Sequence, residues 1–220
     1  MKRPSRTESL EAIRTLGVVA VVRLDDAAQL RPVVDALAAG EVRVVEVTLT
    51  MPKALDALAE LSAARGEQLV VGAGSVLDGE TARLAILAGA RFVVAPTFDA
   101  SVVAMCHRYD VVAVPGGLSP TELLAAWEAG ADLVKLFPAS AFGPGYLKEL
   151  RGPLPQLRFL PTGGVTVDNA AAFIEAGAVA VGVGGALVAR EAVARGDFGR
   201  ITDYARRLTA TVRGARERAR

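Results

Sequence analysis

Short runs of β-branched and other apolar residues alternate along the chain with amphipathic stretches, and most of those stretches close on a glycine. The first amphipathic segment, about 7–16, stops at Gly17, which ends a helix by turning left-handed without a Cβ clash. The run Val18–Arg23 follows, then a helical stretch over about 26–39 closed by Gly40. Val42–Leu49 reads as a second strand, and Pro52 stands near the start of a helix reaching about 64. Gln68–Ser75, Arg91–Thr97, Val111–Gly117, Asp132–Pro138, Arg158–Gly164 and Ala178–Leu187 are predicted as strands three to eight. Helices separate them, among them one opened by Ser119-Pro-Thr-Glu122 as a capping box and closed at Gly130, and another over Thr166–Gly177. The chain beyond about 187 reads as helix.

About eight apolar strands, recurring at roughly 19–26-residue intervals with helices between, predict an α/β protein with a parallel sheet. Eight units with nothing left over predict a closed (β/α)8 TIM barrel with an extra N-terminal helix, in a single domain over 1–220. No Gly-x-Gly-x-x-Gly opens a helix after the first strand, so a dinucleotide fold has little support.

Composition narrows the function classes. Hydrophobic residues make up 52% and aromatics only 5%, a core of Ala, Val and Leu that suits a parallel sheet under Ala-rich helices. A net charge of +1 gives no electrostatic case for nucleic acid or an anionic membrane as partner. Arg213, Arg216, Arg218 and Arg220 read as the solvated end of a last helix rather than a binding tail. A single cysteine, Cys106, leaves no intramolecular disulfide and fits a reducing compartment. With no apolar leader and no membrane-length run, a cytoplasmic location is expected. His107 is the only histidine, which argues against a His-based metal centre, and no metal or cofactor is expected. Cys106 and His107 are neighbours in a helical stretch, where adjacent side chains diverge, and both are expected to be structural.

Candidate chemistry starts at Asp132-Leu-Val-Lys-Leu-Phe-Pro138, an apolar run with one ammonium in its middle. Of 25 basic residues only Lys2, Lys53, Lys135 and Lys148 are lysines, and Lys135 alone sits inside a strand. Burial drives a lysine toward its neutral amine, a nucleophile, whereas an arginine would stay charged. Strand alternation places Val42, Val44, Glu46 and Thr48 on one face of strand two, so a carboxylate also points inward. Two lone ionisable groups of opposite sign inside one barrel are either a structural ion pair or a working pair. Arg23 and Ser75 end strands one and three and could hold a substrate carboxylate. Gly163-Gly164 and Gly184-Gly185 follow the last two strands, where exposed backbone N–H groups commonly bind phosphate. Together these point to Schiff-base chemistry on a phosphorylated keto acid.

Val42-Arg-Val-Val-Glu-Val-Thr-Leu49, Val71-Gly-Ala-Gly-Ser-Val76, Val134-Lys-Leu-Phe-Pro138 and Pro161-Thr-Gly-Gly-Val165 together resemble the 2-keto-3-deoxy-6-phosphogluconate (KDPG)/4-hydroxy-2-oxoglutarate aldolase family, over about 10–190. The resemblance implies a homotrimeric, metal-independent class I aldolase of the Entner–Doudoroff pathway that yields pyruvate and glyceraldehyde 3-phosphate. It implies Lys135 as the Schiff-base nucleophile and Glu46 as the proton shuttle. Phe137 would pack over the iminium, with Thr162 and Pro96 lining the pocket and Arg23, Thr48, Thr50 and Ser75 among the substrate-binding residues. This chain departs from the family at Thr50, where many members carry Arg, and at Gly185, where many carry Ser. Ser75 replaces the usual Thr and keeps the hydroxyl. Alternatives are the galactonate-epimer aldolase, which Thr162 disfavours, and a 4-hydroxy-2-oxoglutarate aldolase. A phosphate-binding barrel isomerase or synthase without a Schiff base and a non-enzymatic binding barrel complete the set.

Overall fold

A computed structural model describes residues 5–66 and 68–219, so Lys2 and Arg220 lie outside the described residues. Helix α1 (Arg6–Leu16) begins with a capping box between Ser5 and Glu8 and ends at Gly17, whose φ of 74° is the left-handed turn expected there. The strands are β1 (Val18–Val22), β2 (Val44–Thr48), β3 (Val70–Gly74), β4 (Phe92–Val94), β5 (Val112–Val114), β6 (Gly116–Gly117), β7 (Val134–Leu136), β8 (Phe159–Pro161) and β9 (Val181–Val183). Between and after them run α2 (Leu30–Ala39), α3 (Ala54–Arg65), α4 (Gly79–Leu87), α5 (Ala100–Arg108), α6 (Pro120–Glu128), α7 (Gly143–Arg151), α8 (Ala170–Glu175), α9 (Arg190–Ala194) and α10 (Phe198–Arg218).

All strand pairs are parallel, in one sheet ordered β5-β4-β3-β2-β1-β9 and another ordered β6-β7-β8. The last strand thus lies beside the first, and the sheet curls. The fifth expected strand, Val111–Gly117, is cut in two at Pro115, which has no N–H to give to a ladder. Its carbonyl still accepts the Lys135 amide at 2.8 Å. β8 and β9 are linked by the Thr162–Gly182 bridge and by the Val179 amide, which donates to the Phe159 carbonyl at 2.9 Å.

Two apolar clusters follow from strand alternation. Outward residues such as Val45, Val47, Val71, Val93 and Val134 pack under the helices. Inward residues Val19, Val44, Val70, Phe92, Val112, Leu133 and Leu160 fill the sheet's concave side together with Ile13 of α1. Asp132 secures the start of the Lys135 strand: it accepts both the Arg6 Nε–H, 2.9 Å from each carboxylate oxygen, and the Ala113 amide at 2.9 Å.

Two helical expectations shift. The predicted helix at Thr166 starts only at Ala170, because the Asn169 side chain accepts the Thr166 amide at 2.8 Å and holds a turn. The C-terminal stretch divides into α9 and α10 around Gly196, φ 67°. At the end of α10 Arg213 and Arg218 stay solvated as expected, 65% and 62% exposed, and each also meets a carboxylate. Arg213 pairs with Glu41, Arg218 with Glu175, and the Arg216 guanidinium donates to the carbonyls of Arg14, Thr15 and Val179. No helix among the described residues is long and apolar enough to cross a membrane.

Candidate active site

Glu46 stands beside Val21 of β1 and Gly72 of β3, while Lys135 stands between Gly116 and Leu160. Directly around this pair the inward positions are small. A Cβ on Gly74 would overlap Glu46 Oε1, one on Gly116 would strike the Pro96 carbonyl, and one on Gly182 would strike the Thr162 hydroxyl. Large side chains form the bottom of the fold and absent ones make its hollow. A Gly74→Ala variant is expected to fold while pushing the Glu46 carboxylate aside. Its kcat should fall by about 100-fold, the usual cost of misplacing a reacting group by an ångström, as read by steady-state kinetics beside a thermal melt.

Lys135 is 5% exposed and Glu46 1%. Desolvation lowers the Lys135 pKa from its ordinary 10.5; the Glu46 carboxylate opposes that shift and the Arg23 charge adds to it. Desolvation raises the Glu46 pKa from its ordinary 4.5, against the pull of Lys135 and Arg23. The two pKa values move toward each other, which is what a nucleophilic amine and a carboxylate that both gives and takes protons require. Glu46 Oε2 is buried without a hydrogen-bond partner, in keeping with the desolvation that raises the carboxyl pKa. Lys135 Nζ lies 4.7 Å above the Phe137 ring, within reach of its negative face.

A cavity of about 840 Å³ joins these groups to the expected binding residues. Arg23, Ser75, Pro96 and Phe137 line it with the pair, as do Thr162, Gly163, Gly164, Gly184 and Gly185. Gly163 and Gly164 both take left-handed φ, 89° and 75°, and a Cβ on Gly185 would meet nothing within 4 Å, so the surface there is bare backbone. Ser75 holds φ 60°, rare for a non-glycine residue. Two expected residues lie elsewhere. Thr48 is fully buried outside the cavity wall with its hydroxyl unpartnered, and Thr50 is exposed in the turn after β2. Cys106, its thiol pushed up to about 12 by burial, and His107 sit on α5 away from the cavity.

The sequence reading missed Arg190, which lines the same cavity next to Gly185, Ala186 and Val188. Only its position soon after the Gly184-Gly185 turn could have pointed to it. Among the described residues no group of three or more His, Cys, Asp or Glu side chains is placed to hold a metal ion.

The family model described as KDPG and KHG aldolase matches residues 10–204. The 2-dehydro-3-deoxy-phosphogluconate aldolase of Treponema pallidum (strain Nichols) is 38% identical over 196 residues, covering 89% of this chain and 91% of that protein. The KHG/KDPG aldolase of Escherichia coli (strain K12) is 34% identical over 200 residues, covering 90% of this chain and 93% of the relative. A crystal structure of KDPG aldolase from Legionella pneumophila, with pyruvate captured as a covalent carbinolamine intermediate, superposes with a TM-score of 0.85 at 29% identity. It covers 92% of this chain and 98% of its own.

Proposed function

We propose that this chain, which belongs to the KDPG and KHG aldolase family, is a class I aldolase cleaving 2-keto-3-deoxy-6-phosphogluconate to pyruvate and D-glyceraldehyde 3-phosphate. The observation that carries this reading is the buried Lys135 amine, its pKa driven down, sharing one cavity with a buried Glu46 whose pKa is driven up. Neutral Lys135 attacks the C2 carbonyl, and Glu46 protonates the departing hydroxyl as the carbinolamine becomes an iminium. Glu46, again ionised, takes the C4 hydroxyl proton, and the C3–C4 electron pair moves into the iminium to form an enamine. The enamine is protonated at C3 and hydrolysed, releasing pyruvate and the free amine. The iminium is the electron sink, so this route draws on no metal or further cofactor. Phe137 supports the cationic intermediate, Ser75 and Arg23 hold the carboxylate, and the Gly163-Gly164 and Gly184-Gly185 amides hold the phosphate. Thr162 and Pro96 shape the walls. The reading of Thr48 and Thr50 as substrate residues has the least support, since neither lines the cavity.

The test is intact mass and peptide mapping after incubation with pyruvate and borohydride. A reduced pyruvyl adduct on Lys135 is expected; no adduct, or one on Lys53 or Lys148, would overturn the reading. A second substrate, 4-hydroxy-2-oxoglutarate, is favoured by Gly185, which offers no hydroxyl to a phosphate. The ratio of the two kcat/KM values decides between them.

The same reading includes a single domain whose curled sheet closes as a (β/α)8 barrel behind the helix α1. Its support is the continuity of β5 and β6 across Pro115 and the Thr162–Gly182 bridge. It also includes the cytoplasm, the Entner–Doudoroff pathway and a homotrimer. Leu77, Leu84 and Leu87 are 56%, 52% and 65% exposed around α4, an apolar face that assembly would cover. A Leu84→Glu/Leu87→Glu variant is expected to shift light-scattering mass from trimer to monomer; an unchanged mass would move the interface elsewhere.

A further inference from the structure

We propose that Arg190 is the side chain that recognises the substrate phosphate, held in readiness by Asp25 and handed from that carboxylate to the incoming dianion. The proposal rests on the aldolase reading and adds to it a specificity residue. Three cationic side chains line the 840 Å³ cavity: Lys135, Arg23 and Arg190. Lys135 is committed to the carbonyl. Arg23, directly after β1, acts electrostatically on both Glu46 and Lys135, which puts its charge near the reacting carbon and hence near the adjoining carboxylate.

Arg190 belongs to the glycine-lined side of the cavity. It follows the turn in which the Gly184 carbonyl accepts the amides of Leu187 and Val188, and it shares the cavity wall with Gly163, Gly164, Gly184 and Gly185. The phosphate is at the far end of the six-carbon chain from the carboxylate, and this is where those glycines leave bare backbone. Gly185 removes the hydroxyl that a serine would bring. A guanidinium supplies more, because its planar fork matches two phosphate oxygens at once.

Arg190 Nη2 donates to Asp25 Oδ1 at 2.9 Å, with the two side chains 77% and 81% exposed. An ion pair that exposed contributes little and is readily exchanged. Arg190 also lines the adjoining cavity of about 200 Å³, along with Asp25 and Arg23. One guanidinium therefore stands between an aspartate on one side and the substrate cavity on the other.

The experiment compares wild type with Arg190→Ala, Arg190→Lys and Asp25→Asn in two assays. The first is calorimetric binding of sn-glycerol 3-phosphate as the probe; the second is the yield of the borohydride-trapped pyruvate adduct. Arg190→Ala should weaken the probe roughly 10- to 100-fold, the loss expected for a charge-assisted hydrogen bond. Arg190→Lys should restore part of that, and Asp25→Asn should tighten binding. None of the three should change trapping. In turnover, Arg190→Ala should raise KM for the phosphorylated substrate by more than it raises KM for 4-hydroxy-2-oxoglutarate, whose far end carries a carboxylate and no phosphate. Unchanged probe affinity in Arg190→Ala, or an equal loss for both substrates, overturns the proposal while leaving the aldolase reading intact. Absent trapping in every protein with probe binding lost only in Arg190→Ala would do the reverse.

Discussion

A Lys135→Met variant is expected to fold, to gain no mass with pyruvate and borohydride, and to lose turnover by roughly 10⁶-fold or more. Met has a similar length and no amine, so the wall of the cavity is kept while the nucleophile is removed. Without the iminium, cleavage must leave its electron pair on an unactivated carbonyl, and acid–base help from Glu46 cannot make up that barrier. The variant should also melt higher than wild type. Lys135 has a pKa below 10.5 in the folded protein, so its stabilising share exists only above the unfolded value and is lost as pH falls through the folded one. Near neutrality the buried amine is a liability to the fold, and Met relieves it. Turnover within tenfold of wild type would discard the Schiff base and favour a barrel isomerase working by acid and base alone.

For Glu46→Gln, kcat should fall by about 10²- to 10⁴-fold, the range for removing a positioned acid–base group. The amide keeps the shape and loses the proton shuttle. Trapping should survive but form slowly, since Lys135 still attacks while carbinolamine dehydration loses its acid. The wild-type rate should decline as pH drops through the Glu46 pKa, which burial holds above 4.5, and that limb should vanish in the variant. Stability follows the same sign. A carboxylate with a raised folded pKa stabilises fully only below its unfolded value, and the benefit disappears as pH rises through the folded one. Glu46→Gln should therefore match wild type near pH 4 or below and exceed it increasingly above, as measured by melts across pH.

Much of this was legible in the chain because burial writes itself into residue type. The β-branched runs closed by glycines marked the strands, and Lys135 and Glu46 stood out as the charges that an apolar run would otherwise exclude. Side-chain-to-backbone chemistry was less visible: Asn169 delays α8 by bonding to the Thr166 amide, a contact that hydrophobic periodicity does not register. Alternation also gives a face without saying what covers it. It put Thr48 on the same side as Glu46, and the structure buries it outside the cavity. Arg190 was hidden for a different reason. It meets Asp25 across 165 positions of sequence, and only the return of β9 to β1 brings them together.

The cut at Pro115 bears on how the site is held in tune. Glu46 belongs to the six-stranded sheet and Lys135 to the three-stranded one, yet main-chain bonds cross between them: the Asp132 amide donates to the Ala113 carbonyl of β5 at 3.0 Å and the Lys135 amide to the Pro115 carbonyl at 2.8 Å. Their spacing is set by how the two halves seat against each other at Pro115 and at the Thr162–Gly182 bridge. The proline interrupts the strand without unfastening its neighbours, so amine and carboxylate are carried on one continuous frame.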